Sequence, residues 1–334
     1  MNKKQYVIVS ALAGIILLTV ALFRYEERPL QKTYFHNEGK VFGTYYKVQY
    51  DGTADLQPAI DSAFKAFDRS LSMFNPESVI SAVNNNRDTV TDARFEQMWA
   101  QAMEVSEWSE GAFDITVAPL VNLWGFGFKH REEVTEAKID SVMPLIGWHK
   151  VRLENHHVIK EDPRMMLDAS AVAKGQACDV IAEVLKAHGA ENWLVDIGGE
   201  VVSRGNNSQG NAWRIGITKP VDDSTGVQNE IQEVIEVHDI AMATSGNYRN
   251  FYYEGKERRS HTIDPRSGKP VQHSLLSATV VAGNCMKADA LATACMVLGE
   301  EKALPMIEKA GAACYLIIAQ GDSLVVKTSK NWQY

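Results

Sequence analysis

Between Ser260 and Gly299 the chain reads SHTIDPRSGKP, a strand-like stretch, and then KADALATACMVLG. His261 and Asp264 precede a Pro-Arg-Ser-Gly turn, and Asp289 and Thr293 stand four residues apart in a helical pattern. Positions i and i+4 share one helix face, so a carboxylate and a hydroxyl point at the same spot. Two hard oxygen donors of that kind suit a cation such as Mg²⁺ that also holds phosphate. Taken alone, the pair reads first as a polar surface patch; other segments give it weight.

Leu167-Asp168-Ala169-Ser170-Ala171-Val172-Ala173-Lys174-Gly175 runs from a strand-like segment into a helix. The first turn of a helix offers unpaired N–H groups and a positive dipole end, which suit phosphate. Lys174 adds a point charge there. The glycine spacing is not that of a Walker loop. Asp114, inside the apolar run GAFDITVAPL, either caps a turn or meets the polar edge of a ligand. Trp124 and Phe126, among glycines, read as core or as a ring-stacking wall. Ser245 in TSGNY lacks a G-x-S-x-G elbow, so a turn hydroxyl touching a ligand is the simpler reading. The glycines of VDIGGE mark a tight turn at a strand end. His261 is the best-placed titratable group for accepting a proton; His130, His156 and His157 read as solvent-facing.

Several elements must position these groups. Apolar residues at helical spacing predict a helix over 56–74, and further helices are expected over 94–108, 171–188, 288–298 and 301–310. Strands are expected at 40–50, broken by a glycine, and at 151–153, 165–167, 193–196, 231–237, 276–282, 313–319 and 323–328. This non-alternating order predicts an α+β fold with mixed or antiparallel sheets and packed helices. Residues 24–38 read as a polar tether, and Asp222 to Gln228 as a surface loop.

The 334 residues, 45% of them hydrophobic, suffice for one large core. Net charge is −8, and the first thirty residues hold four basic and two acidic side chains, so the remainder is more acidic still. That balance argues against a nucleic-acid surface. The four cysteines (Cys178, Cys285, Cys295, Cys314) show no zinc spacing; they permit one disulfide but not a framework. Lys3 and Lys4 precede an uncharged run of eighteen residues, Tyr6 to Phe23. Its length fits a short membrane span or a signal-peptide core, and the leading lysines place the N-terminus in the cytoplasm. The expected division is a signal anchor over 1–30 and one catalytic unit over 31–334.

Taken in order, Phe42-Gly43-Thr44, Met73-Phe74-Asn75 with Ser78 and Ser81, GAFDITVAPL, LDASAVAKG, VDIGGE, TSGNY, HTIDPRSGKP and ADALATACMVLG resemble the ApbE family of flavin transferases. The match runs from about residue 40 to residue 300 and implies a T-fold-like catalytic unit. It implies transfer of FMN from FAD, with Mg²⁺, onto a Thr or Ser hydroxyl of an exported protein, with release of AMP. The resemblance assigns Mg²⁺ to Asp289, Thr293 and the carbonyl of Ala171. It assigns FAD contacts to Phe42, Met73, Phe74, Asn75, Asp114, Lys174, Ile263 and Asp264, and the transfer step to His261. Phe42 stands where a Met is common, and Ala169 and Ser170 replace the usual Leu or Phe and Gly. The implied acceptor is a subunit of a membrane redox complex carrying D-x-x-[ST]-G-A-[ST]. The implied location is a bacterial inner membrane, with the catalytic unit in the periplasm. Competing readings are an FAD pyrophosphatase yielding FMN and AMP, and an anchored flavin-binding protein without chemistry.

The anchor reading has a direct check. Fractionation of cells should place the full-length chain in the membrane, with residues beyond 30 open to protease from the periplasmic side; a soluble periplasmic protein beginning near Leu22 would instead identify a cleaved signal.

Overall fold

The computed structural model describes residues 33–127, 133–221, 230–248, 251–254, 257–321 and 323–334. The expected anchor over 1–30, the Asp222–Gln228 loop and His130 lie outside the described residues. Among the described residues, no helix is long and apolar enough to cross a membrane.

Eight strands form one antiparallel sheet: β1 (Thr33–Val41), β2 (Thr44–Gly52), β3 (Trp193–Ile197), β4 (Glu200–Arg204), β5 (Ile240–Gly246), β6 (Leu275–Val281), β7 (Ala313–Gln320) and β8 (Ser323–Thr328). Each pairs with the sheet strand nearest to it in sequence, so spatial order follows chain order. On one face lie the long helices α1 (Gln57–Leu71), α3 (Ala93–Trp108), α6 (Ala173–Ala187), α7 (Cys285–Leu298) and α8 (Glu300–Lys309); short helices α2 (Val79–Asn84), α4 (Ala118–Leu123) and α5 (Glu136–Val142) occupy the connections. On the other face a hairpin of Trp213–Thr218 and Ile231–Val237 buries Trp213, Ile215 and Ile235 against Val201, Met242 and Tyr315. The expected α+β class is the class observed.

Helix α1 follows its pattern: Ile60, Phe64, Phe67 and Leu71 are buried and recur at three- and four-residue steps. Helix α7 does not. Ten of its residues, from Cys285 to Val297, are buried on almost every side, as expected of a helix lodged inside a domain. Its alanines admit close neighbours, and α6 uses that space at Gly175. A Cβ there would lie 2.3 Å from the carbonyl oxygen of Cys285 and 2.9 Å from Cβ of Asp289.

Three expectations change. Residues 40–50 are not one broken strand. Phe42 and Gly43 both take positive φ (49° and 75°), the left-handed pair that closes a two-residue hairpin, and β1 already begins at Thr33 inside the supposed tether. Phe42 tolerates that backbone with its ring packed on Phe64 and Phe67, at centroid distances of 5.8 and 5.2 Å. Residues 165–167 are not a strand. The partner of Val151–Glu154 is His157–Lys160, and Leu167 instead exchanges two hydrogen bonds with the Asn84 amide, at 2.7 and 2.8 Å. All four cysteines are free and buried, so no disulfide forms.

Candidate functional site

One cleft of about 490 Å³ opens where α6, α7 and the end of β5 meet. Asp114, Ala171, Lys174, Ser245, His261, Ile263, Asp289 and Thr293 all line it. Residues spread over some 180 positions of sequence are therefore gathered by the α6–α7 crossing and the sheet end. A larger groove of about 1150 Å³ lies along the other end of α6, beside Arg94, Asp179 and Arg204. It contains none of those eight residues.

Helix α7 is fixed at its start. The Asn284 side chain accepts from the N–H of Lys287, and Asp179 of α6 takes the N–H groups of Cys285 and Met286 on its two oxygens, at 3.0 and 2.9 Å. One turn further on, Asp289 is 3% exposed and its Oδ2 accepts from the N–H of Gly175 at 3.0 Å. Thr293 Oγ1 lies 3.2 Å from Ser245 Oγ. Burial pushes the Asp289 carboxyl up, and the Lys174 ammonium opposes that.

Lys174 forms an ion pair with Glu200, the first residue of β4, which is 1% exposed. Burial alone would depress the lysine. The Glu200 and Asp289 carboxylates outweigh it and hold the ammonium well above its usual range, so Lys174 stays charged. Burial pushes Glu200 up while Lys174 draws it back. The second oxygen of Glu200, Oε2, is buried without a hydrogen-bond partner.

The opposite wall is aromatic. His261 presents its ring to the edge of Phe126, 6.3 Å away at 68°, and Phe126 stacks on Tyr252 at 5.2 Å. Trp124 is core instead, donating from Nε1 to the carbonyl of Gly268 at 2.8 Å. Asp114 serves as a turn cap: Oδ1 accepts from the N–H and hydroxyl of Thr116, and Oδ2 from the N–H of Trp148 at 2.8 Å. Its carboxylate thus pins the 147–148 loop to the cleft wall.

Five expected FAD contacts lie outside the lining. Phe42 is packed among the α1 phenylalanines. Met73 reaches the rim, its sulfur 3.8 Å from the Ser170 hydroxyl. Phe74 is 83% exposed. Asn75 braces its own turn through Asp68 and the N–H of Glu77. Asp264 is engaged by Arg266 at 2.8 Å, although its neighbours Ile263 and Pro265 face the cleft. Conversely, the structure adds Glu200 and Asp179 to the residues that matter. The alternation of β4 was the available signal for Glu200, since it puts this carboxylate on the helix face beside Val202.

The ApbE family profile matches residues 42–316. A FAD:protein FMN transferase of Vibrio cholerae is 35% identical over 334 residues, covering 97% of both chains. One from Haemophilus influenzae is 38% identical over 308 residues, covering 87% of this chain and 88% of its own. Among solved structures, the flavin transferase from Vibrio cholerae superposes with a TM-score of 0.81 at 34% identity, over 90% of this chain and 99% of that one. The flavinyl transferase of Pseudomonas stutzeri gives 0.79 at 30% identity, over 91% and 97%. Fold and relatives together define an enzyme of the transferase class. The chain belongs to the ApbE family.

Asp179 gives a pH test. Burial, helped by nearby Asp289 and Glu183, pushes its carboxyl up to about 6 despite two N–H donors. The ordinary value is about 3.9, so between roughly pH 4 and 6 the folded state binds the extra proton and stability from this group falls as pH rises. Two units amount to on the order of 3 kcal/mol. Denaturant unfolding of wild type and Asp179→Asn at pH 4.5 and 7.5 should show the variant gaining relative to wild type at the higher pH. A difference that does not change with pH contradicts the assignment.

Proposed function

We propose that this enzyme transfers FMN from FAD to a Ser or Thr hydroxyl of a partner protein, using Mg²⁺ and releasing AMP. The carrying observation is the convergence of Lys174, Asp289, Thr293 and His261 on one cleft, in a chain whose close relatives are FAD:protein FMN transferases. The cleft volume falls in the range of small-molecule sites, roughly 300–1,000 Å³.

The residues present fit Mg²⁺. The donors are oxygens: Asp289 carboxylate, Thr293 hydroxyl and the Ala171 carbonyl, with the orphaned Glu200 Oε2 on the same cleft wall. Among the described residues no group of three His, Cys, Asp or Glu forms a cage of its own. That suits a cation shared with substrate phosphates rather than held wholly by protein. When bound, it neutralises charge developing on the pyrophosphate oxygens.

The protein's own part follows from the cleft. Lys174 lines the cleft, and its fixed charge stabilises the leaving AMP, whereas the N–H groups of Ala173 and Gly175 at the start of α6 are taken by the Ala169 carbonyl and Asp289. The acceptor hydroxyl attacks the FMN-side phosphorus; its O–P bond forms as the P–O bond to AMP breaks. His261 takes the hydroxyl proton. Phe126, backed by Tyr252, lines the cleft and gives a flat ring an aromatic neighbour. The FAD contacts assigned to Phe42, Met73, Phe74, Asn75 and Asp264 require FAD to extend past Ser170 along the rim that Met73 marks. The acceptor is read as a subunit of a membrane redox complex bearing D-x-x-[ST]-G-A-[ST], and the enzyme as anchored by residues 1–30 with the unit over 31–334 in the periplasm.

Incubating the chain with FAD, Mg²⁺ and an acceptor domain carrying that motif should yield a fluorescent acceptor band in denaturing gels. His261→Ala should slow single-turnover transfer by roughly 10²–10⁴-fold with FAD affinity little changed. FAD consumed to FMN and AMP with the acceptor unlabelled identifies a pyrophosphatase, and a His261→Ala enzyme within a few-fold of wild type removes that residue from the mechanism.

A further inference from the structure

A second cleft of about 330 Å³ lies between the sheet and the Trp213–Thr218 hairpin, on the face opposite the helices. Its inner end shares Gly198, Thr244 and Tyr248 with the catalytic cleft, so the two adjoin at the β3–β4 turn. Gly198 and Gly199 form that turn with positive φ (67° and 104°), and the direction a Cβ of Gly199 would take is open space. At Gly198 the clearance is small, since a Cβ there would lie 2.9 Å from the Thr44 side chain.

The outer wall is a strand edge. Arg214, Ile215 and Gly216 are consecutive and all line the cleft, which the face of a strand cannot achieve because its side chains alternate. Among the described residues, the Trp213–Thr218 strand pairs only with Ile231–Val237, in a two-stranded sheet. Its other edge therefore borders the cleft, and an edge of unpaired N–H and C=O groups is a template for an added strand. Thr44 and Asp196 across the slot, and Thr218 at the end of the strand itself, are polar, which suits a hydrogen-bonding chain better than a ring or an acyl tail.

We propose that this slot receives an extended segment of the acceptor protein, paired to the Trp213–Thr218 edge, and delivers its hydroxyl past Gly198 to the catalytic cleft. The inference rests on the transferase reading, which needs a macromolecular second substrate to reach the phosphorus while FAD fills the first cleft. A separate entrance adjoining that cleft meets the need. The segment enters along the backbone edge, so affinity comes from main-chain pairing and selectivity from the small clearance at the glycine turn.

Arg214 is at the rim, its side chain 70% exposed and only loosely paired with Glu236 at 3.8 Å. All four native cysteines are buried, so Arg214→Cys offers a selectively reactive thiol that can be blocked after folding. Unlabelled Arg214→Cys supplies the reference KM for an acceptor domain carrying D-x-x-T-G-A-T. Labelling with a bulky maleimide should raise the KM for that acceptor at least tenfold, while FAD affinity, read by flavin fluorescence, stays unchanged. Labelled enzyme with an unchanged acceptor KM overturns the proposal. Loss of FAD binding on labelling overturns it too, since the slot would then belong to the flavin site. If wild type binds FAD yet labels no acceptor, it is the transferase reading that fails.

Discussion

The site depends on one close approach. At Gly175, α6 crosses α7 with no room for a Cβ, and the same contact lets the glycine N–H reach the Asp289 carboxylate. A buried carboxylate is costly unless it is hydrogen-bonded and offset by opposite charge. Here the backbone donor comes from Gly175 and the positive charge from Lys174, its neighbour in sequence. One dipeptide thus fixes both the spacing of the helices and the charge between them. Widening the crossing by one methyl would separate Asp289 from its donor and displace Thr293 from Ser245.

The charges around that crossing are unevenly matched. Lys174 faces two carboxylates, Glu200 and Asp289, both raised by burial. Asp179, a further raised carboxylate, stands at the head of α7. Such a set is held against its own solvation preference by hydrogen bonds at the helix start and by the ion pair. A divalent cation held by Asp289 would relieve it, because it would supply positive charge where the protein has too little.

Much of this was legible in the chain. The i, i+4 pair Asp289 and Thr293, the Lys174 helix start and His261 all line the cleft that the sequence led one to expect. The periodicity of Ile60, Phe64, Phe67 and Leu71 gave α1 nearly to its ends. What escaped was long-range or exceptional. Glu200 meets a lysine 26 residues earlier, and Asp179 caps a helix start 106 residues later; neither pairing leaves a local pattern. Phe42 adopts a left-handed backbone that its residue type disfavours, so the β1–β2 turn read as a flaw in one strand. Leu167 is extended and apolar like a strand, but an asparagine side chain takes the place of the neighbouring strand.

Calorimetric titration of Mg²⁺ into FAD-saturated wild type and Asp289→Asn tests the central claim most directly. The variant keeps the shape and the Gly175 neighbour while removing the charge. The account predicts one Mg²⁺ per chain in wild type and an affinity at least tenfold lower in Asp289→Asn, with FAD still bound. Equal Mg²⁺ affinity in the two proteins would contradict it.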